Sequence, residues 1–289
     1  MISVSIRRYV SFAIIGVLLL AATMIAGCGQ NEKADQTDNK ENKSAISGSI
    51  TIAGSTSVQP FSDVLAEEFN KKNPDAQINV QGGGSSQGIE AAISGAADIG
   101  SSSRELKPEE TTQGIKEYKI ALDGVAIVIN PANKISELKM EDIRNIYLGN
   151  VTNWKELGGK SAPITVVSRE EGSGTRGAFE DIVMNKEKVS DKVIIQSSTG
   201  AVRSAVAGDP QAIGYVSMSS ADKSVKAIKV DGIEANVDNV KNGSYKISRP
   251  FLYLTKGEAQ GLPKAFIDFV MSSEGQDILE EEGAIRIDK

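Results

Sequence analysis

The feature that most constrains the fold of this chain is a unit that recurs along it: a short apolar strand, a loop of serine, threonine and glycine, and an amphipathic helix. In the first unit Ile50 and Ile52 alternate along a strand, and Phe61, Leu65 and Phe69 recur at helical spacing. Strands that alternate with helices predict an α/β fold in which helices cover the sheet. The loops of the four units comprise residues 54–57, 82–86, 101–104 and 168–175.

The position of these loops predicts an anion site. In α/β folds ligands bind beyond the carboxyl ends of the strands, where helix N-termini point free N–H groups and partial positive charge outward. A single loop of this kind is as well explained by helix capping or a turn. Four such loops, one of which contains Arg169, favour a cage for an oxyanion. If Arg169 belonged instead to a surface ion pair, Glu171 would be its predicted partner.

Composition narrows the classes of function. The chain contains no histidine, so a Ser-His-Asp triad, a histidine-activated cysteine and a histidine-ligated metal are excluded. The formal net charge is −6, and removal of residues 1–27 would take away two arginines and leave −8. An acidic chain is not expected to bind nucleic acid.

The amino terminus predicts export and a lipid anchor. Arg7 and Arg8 precede an apolar run over residues 10–26. Gly27 and Cys28, the single cysteine of the chain, follow this run. This order is typical of a lipoprotein signal peptide, here residues 1–27, with Cys28 as the lipidated first residue of the mature chain. A transmembrane anchor is the alternative, because the run is nearly long enough to span a bilayer. Residues 28–45 are almost entirely polar and are predicted to form a flexible tether.

The loop sequences resemble the ligand loops of PstS-type phosphate-binding proteins, in the same order and spacing, and the resemblance covers essentially all of the chain after the tether. It implies a two-lobed periplasmic-binding-protein type II fold, in which each lobe is a mixed sheet flanked by helices and the ligand lies between the lobes. Two strands are expected to cross between lobe 1, residues 46–122 and 222–289, and lobe 2, residues 123–221. The segments that carry the resemblance are residues 53–57, 84–88, 97–104, 151–154, 168–175 and 249–253.

The same resemblance implies the contacts to phosphate. Many members of the family have an aspartate where this chain has Ser103, and that carboxylate accepts the proton of monohydrogen phosphate. A serine hydroxyl accepts a hydrogen bond only if its own proton points elsewhere, and Asp98 is an alternative acceptor. The expected ligand-binding residues are Thr56, Ser57, Ser85 and Ser103 in the first lobe, and Arg169, Ser173, Gly174 and Thr175 in the second.

The predicted function is capture of inorganic phosphate outside the cytoplasm and its delivery to the permease subunits of an ABC-type phosphate importer. The protein is expected to be a monomer on the extracytoplasmic face of the cell membrane, without enzymatic activity, cofactor or metal. One alternative ligand is another tetrahedral oxyanion, sulfate or molybdate. Two other classes are a secreted phosphate-ester hydrolase, which would need a catalytic pair such as Ser-Lys, and an adhesin or scaffold lipoprotein, which would have no need of four donor-rich loops.

Overall fold

A computed structural model describes residues 46–287 of the chain. The predicted signal peptide, Cys28 and the tether therefore lie outside the described residues. Within residues 46–287, every helix is too short or too polar to cross a bilayer.

Two short strands, β5 (Glu137–Leu138) and β10 (Lys229–Val230), pair in parallel on their own, and the other nine strands form one curled, mixed sheet. Its order is β2-β1-β3-β11-β4-β8-β6-β7, with β9 also paired to β4. The neighbours β1, β2 and β3 are parallel, as are β6, β7 and β8, whereas β11 and β4 run antiparallel to their partners. The strands are β1 (Gly48–Gly54), β2 (Ala76–Gly82), β3 (Ile99–Ser102), β4 (Ile115–Ile129), β5 (Glu137–Leu138), β6 (Thr165–Arg169), β7 (Ile194–Gln196), β8 (Ala212–Ser217), β9 (Lys226–Ala227), β10 (Lys229–Val230) and β11 (Ser248–Lys256).

Three helices, α1 (Gln59–Lys72), α2 (Ser85–Ser94) and α5 (Gly174–Ile182), begin within or just after the serine- and glycine-rich loops, as the sequence predicts. Pro60 lies in the first turn of α1, where its missing N–H costs little. Gly84 precedes α2 with a φ of 101°, a conformation that favours glycine. The helices are α1 (Gln59–Lys72), α2 (Ser85–Ser94), α3 (Pro108–Thr111), α4 (Met140–Leu148), α5 (Gly174–Ile182), α6 (Thr199–Gly208), α7 (Val237–Lys241), α8 (Gly261–Val270) and α9 (Ser273–Glu281).

Two large hydrophobic cores define two lobes. The first core gathers side chains from β1, β2, α1, α8 and α9, and the second gathers side chains from β4, β8, α4 and α5. The strand β4 belongs to both, because Ala121 lies in the first core and Val125 in the second. The chain returns between Ile247, in the second core, and Phe251, in the first. This arrangement agrees with the two-lobed α/β fold expected from the sequence.

We propose that the chain returns to lobe 1 later than the predicted residue 222. Ile228, Val230 and Tyr245 pack in the second core, and β9 pairs with the lobe 2 half of β4. The strands β9 and β10 are two residues long each, too short to show the alternation that reveals a strand in a sequence. We therefore propose that lobe 1 comprises residues 46–122 and 248–287.

Three large aromatic residues, Trp154, Phe251 and Tyr253, are buried. The indole N–H of Trp154 donates to the carbonyl of Gln211 at 3.0 Å, and the Tyr253 hydroxyl lies 2.7 Å from the Ser62 hydroxyl. Both polar groups are therefore satisfied within the cores.

Candidate functional site

The N-termini of four helices meet at one buried point between the lobes. Helices α1 and α2 approach from lobe 1, and α5 and α6 approach from lobe 2. The Ser57 Oγ, before α1, lies 3.0 Å from the Thr175 Oγ1 of α5 and 2.7 Å from the Thr199 Oγ1 of α6. Helix geometry leaves the N–H groups of each first turn without an intrahelical partner, and each helix dipole places partial positive charge there. Such a convergence stabilises an anion.

Four buried serines form the lobe 1 side of the site. The Ser55 hydroxyl donates to the Ser103 Oγ at 2.9 Å, and the Ser103 backbone N–H donates to the Ser85 Oγ at 3.0 Å. The fourth is Ser57, and each of the four side chains is at most 2% exposed. Thr56 borders this cluster, where its Oγ1 accepts a hydrogen bond from the Thr199 backbone N–H at 3.2 Å.

The start of α5 forms part of the lobe 2 side. Ser173 caps the helix, since its Oγ accepts a hydrogen bond from the Arg176 N–H at 3.2 Å. A Cβ on Gly174 would lie 2.7 Å from the Ser103 Oγ and closer still to the Ser85 Oγ. The two lobes therefore approach each other here at a distance that only glycine permits.

Arg169 is almost fully buried and is held on every side. Its Nε and Nη2 donate to the Glu170 carboxylate at 2.9 and 2.7 Å, and its Nη1 donates to the Thr199 Oγ1 at 3.1 Å. The carboxylate partner is thus Glu170, and the prediction of Glu171 is wrong. The backbone N–H of Arg169 donates to the Tyr215 hydroxyl at 3.3 Å, and its carbonyl accepts from the Arg176 Nη1 at 3.0 Å. These bonds fix the guanidinium at the site.

A layer of buried groups supports Arg169 from below. Tyr215 stacks on Phe179 with ring centroids 4.1 Å apart, and its hydroxyl lies 2.7 Å from the Ser168 Oγ. Burial raises the pKa of Tyr215 to about 12, so its hydroxyl keeps its proton at neutral pH. Glu180 binds both Arg176 and Lys188 at 2.8 Å. Burial acts to raise the pKa of Glu180, but the hydrogen bonds from Lys188 and Arg176 and their charges lower it below its ordinary value of 4.5.

A second buried guanidinium reaches the site from β11. Arg249 donates to the Asp123 Oδ2 through Nη2 at 3.0 Å and Nε at 3.2 Å, and to the Ser103 carbonyl through Nη1 at 3.2 Å. The Ser217 hydroxyl donates to the other Asp123 oxygen at 2.8 Å. Burial raises the pKa of Asp123, although the charge of Arg249 opposes the shift, and burial lowers the pKa of Arg249. The pair lies where β4 and β11 pass between the lobes.

The structure brings the predicted site residues together, with Ser173 serving as the cap of α5. Asp98 lies elsewhere, since it is exposed and accepts a hydrogen bond from the Thr51 N–H at 2.8 Å. Sequence reasoning missed Ser55, Thr199, Asp123 and Arg249. Thr199 carried a usable signal, because residues 197–200 are a fifth run of serine, threonine and glycine, which links β7 to the first turn of α6. The Asp123–Arg249 pair gave no local sequence signal, since the two residues are 126 positions apart.

Comparison with known proteins places the chain among solute-binding proteins. Residues 39–274 match the PBP superfamily domain. The phosphate-binding protein PstS of Bacillus subtilis is 36% identical over 279 residues, which cover 94% of this chain and 93% of that protein. A Clostridium perfringens protein identified as the substrate-binding protein of a phosphate ABC transporter, whose crystal structure holds bound phosphate, is 48% identical with a TM-score of 0.81. That match covers 83% of this chain and 100% of the other. An ABC-type phosphate transport receptor from Vibrio cholerae is 39% identical, with a TM-score of 0.70, over 82% of this chain and 100% of the receptor.

Proposed function

Because the chain belongs to the PBP superfamily and, within it, to the PstS family of phosphate-binding proteins, we propose that it binds inorganic phosphate between its lobes and delivers it to an ABC importer. The observation that carries this proposal is the convergence of four helix N-termini and the Arg169 guanidinium on one buried point. The Clostridium perfringens relative, which covers the whole two-lobed region, binds phosphate in its crystal structure.

The proposed contacts follow from the chemistry of a buried anion. A phosphate dianion that leaves water needs many short, oriented donors, and hydrogen bonds to a charged group are the strong ones. We propose that Ser57, Ser85, Ser103 and Thr175 supply hydroxyl donors, and that the helix starts supply backbone N–H groups. Arg169 adds a charge that persists over the whole physiological pH range. The remaining predicted residues shape this set: Thr56 borders it, Ser173 caps α5, and Gly174 permits close approach of the lobes.

Calorimetric titration of the chain without residues 1–28 would test the proposal. Phosphate should bind with a stoichiometry of one, and more tightly than sulfate or molybdate titrated under the same conditions. Tighter binding of sulfate or molybdate would assign the site to that oxyanion. Release of phosphate from a generic phosphate ester would instead favour the hydrolase.

Binding is proposed to close the lobes around the anion. The donor groups are divided between residues before 104 and residues after 168, and neither set encloses an anion alone. Small-angle scattering should therefore show a more compact particle with phosphate than without it. Unchanged dimensions despite tight binding would indicate a rigid, preformed site.

Membrane attachment through Cys28 is a separate proposal, which rests on the signal sequence. The PstS relatives are solute-binding proteins, so an extracytoplasmic location follows from the family, and the lipid anchor and the monomeric state are proposed here. Cys28→Ala should release the protein from the membrane fraction or leave the signal uncleaved. A variant that is processed and fractionates like the parent would show that the anchor is not at Cys28.

A further inference from the structure

We infer that Ser55, which no comparison assigns to the site, orients the Ser103 hydroxyl and thereby sets how the site responds to the proton of its ligand. The inference rests on the proposed phosphate site. Its starting point is the direction of the hydrogen bond between two buried hydroxyls, Ser55 and Ser103, whose oxygens are 2.9 Å apart.

The Ser55 hydroxyl is a donor because its acceptor capacity is already used. Its Oγ accepts hydrogen bonds from the backbone N–H groups of Ser57, at 3.2 Å, and Val58, at 3.4 Å. A hydroxyl oxygen has two lone pairs and one proton. Since both lone pairs face the start of α1, the proton is left for the Ser103 Oγ. The side chain is 2% exposed, so water does not compete for these bonds.

The Ser103 hydroxyl is consequently directed toward the centre of the site. One lone pair of its oxygen receives the Ser55 proton and the other faces the Ser85 hydroxyl, 3.3 Å away, so its own proton points at a bound anion. The peptide around Ser103 is held at both ends. Its N–H donates to the Ser85 Oγ at 3.0 Å, and its carbonyl accepts from the Arg249 Nη1 at 3.2 Å. With the peptide fixed, the neighbours Ser55 and Ser85 set the direction of the Ser103 hydroxyl proton.

The Ser103 hydroxyl therefore acts as a hydrogen-bond donor toward a bound ligand. Sulfate and monohydrogen phosphate both offer oxygen acceptors to such a donor, and they differ in the one proton that phosphate carries. A side chain that only donates cannot accept a hydrogen bond from that proton. Ser103 therefore contributes little to the discrimination of phosphate from sulfate. Ser55 is thus a positioning residue that acts on specificity through Ser103.

Removal of the Ser55 hydroxyl should change the ratio of the two affinities. In Ser55→Ala the Ser103 proton can turn into the space that the Ser55 hydroxyl leaves, and a lone pair of the Ser103 oxygen then faces the ligand and accepts the phosphate proton. The ratio of phosphate to sulfate affinity should rise about fivefold, the value of one ordinary hydrogen bond. Loss of the hydrogen bonds from the Ser57 and Val58 N–H groups should lower the affinity for both anions equally, so this effect cancels in the ratio. Ser55→Cys, which keeps the size of the side chain and donates only weakly, should shift the ratio in the same direction.

The measurement is calorimetry on the full chain in detergent solution, with phosphate titrated directly and sulfate measured by displacement. Ser62→Ala is the matched control, since Ser62 is equally buried and its hydroxyl bonds to Tyr253, away from the site. A double-variant cycle with Ser103→Ala completes the design. Without the Ser103 hydroxyl, Ser55→Ala should leave the ratio unchanged.

Each outcome decides a different question. An equal loss of affinity for phosphate and for sulfate in Ser55→Ala would overturn the role of Ser55. So would a wild-type protein that does not bind sulfate at any concentration. The same holds if the ratio moves as far in the absence of the Ser103 hydroxyl. A wild-type protein that binds no phosphate would overturn the proposed function itself, and this inference with it.

Discussion

At the level of single residues, each arginine that reaches the site is held by a carboxylate. Arg169 binds Glu170 and Arg249 binds Asp123, so the formal charges cancel before an anion arrives. The attraction for a dianion therefore comes from oriented N–H and O–H dipoles together with the Arg169 guanidinium, which donates through Nη1 toward Thr199 and the helix starts. An acidic protein can bind an anion on these terms, because local geometry outweighs net charge at contact distance.

Arg169→Ala should weaken phosphate binding by about 3 to 5 kcal/mol, the range for breaking a buried charge pair. Part of that loss arises from Glu170, which would face the anion without its partner. The double variant Arg169→Ala/Glu170→Gln should accordingly bind phosphate more tightly than Arg169→Ala alone. Calorimetry on the three proteins checks this order.

Glu171→Gln is the matched control for this series. It removes a charge of the same sign one residue further along the loop, from a side chain that the structure does not place on Arg169. Its affinity for phosphate should equal that of the wild type. A loss as large as that of Arg169→Ala would instead assign the ion pair to Glu171.

The residue scale is also where sequence reasoning was least complete. The serine, threonine and glycine content of the loops was enough to locate them. It did not indicate which of their hydroxyl groups contact one another. Ser55 and Ser57 differ by two positions in one loop, yet Ser57 reaches across to lobe 2 and Ser55 turns back to Ser103. The choice between Glu170 and Glu171 depends on backbone geometry just beyond β6, which periodicity does not encode.

At the level of elements, the close contact between α5 and lobe 1 makes a prediction about lobe closure. Gly174→Ala adds a methyl group that would collide with the Ser85 and Ser103 hydroxyls. Alanine is a better helix former than glycine, so the variant should be at least as stable as the wild type. Phosphate binding, and the compaction seen by scattering, should be lost.

Gly200→Ala serves as the control for this variant. Gly200 lies in the first turn of α6, and a Cβ there meets no other atom within 4 Å. The same substitution at a second helix start should therefore leave binding and compaction intact. Full phosphate affinity in Gly174→Ala would show that the lobes do not need to approach this closely.

The helix α5 also predicts how stability depends on pH. The pKa of Glu180 is lowered in the folded protein, since the effects of Lys188 and Arg176 exceed that of burial. Its ionised form therefore stabilises the fold fully above about pH 4.5, and this contribution is lost as the pH falls through the lower folded-state pKa. Glu180→Gln should be less stable at pH 7 and should lose less on acidification. Urea unfolding at pH 7 and at steps below pH 4.5 would measure both effects.

A control for Glu180 comes from an exposed ion pair. Glu67 binds Lys71 on the surface of α1, with both side chains more than half exposed. Exposed pairs contribute little to stability, so Glu67→Gln should match the wild type at each pH. If Glu180→Gln behaved in the same way, the pair would not support α5.

At the scale of the whole molecule, the Asp123–Arg249 pair ties the two crossing strands together. Asp123 is fully buried, so removal of its cation leaves an uncompensated charge in the interior. Arg249→Met should lower the free energy of unfolding by about 3 to 5 kcal/mol. Asp123→Asn/Arg249→Met should recover part of this loss, because the double variant buries no charge. Urea denaturation would give the values.

Lys264→Met provides the comparison for that series. Lys264 pairs with Asp268 on α8, and both side chains are more than half exposed. It should unfold at the same urea concentration as the wild type. If Arg249→Met did likewise, the crossing strands would be held by backbone pairing alone.

The overall architecture was largely readable from the sequence, because it depends on periodicity and on loop composition. The alternation of Ile50 with Ile52 and the helical spacing of Phe61, Leu65 and Phe69 correspond to β1 and α1 as observed. The position at which the chain returns to lobe 1, which we propose is near residue 248, could not be predicted from the sequence. It depends on which core receives Ile228, Val230 and Tyr245, and such long-range packing leaves no local pattern.

The position of β11 has a consequence for biosynthesis. This strand lies between β3 and β4 in the sheet, yet it is the last of the strands in residues 46–287 to be synthesised, and Ile285, further along the chain, exchanges two backbone hydrogen bonds with Leu122 of β4. A ribosome that has delivered β1 to β4 has therefore made a sheet that is missing its central strand. Pairings between distant parts of a chain form slowly, and lobe 1 cannot be completed until β11 and Ile285 have been synthesised. A polypeptide that must be threaded unfolded through a translocation channel is protected by this order of assembly from folding on the wrong side of the membrane.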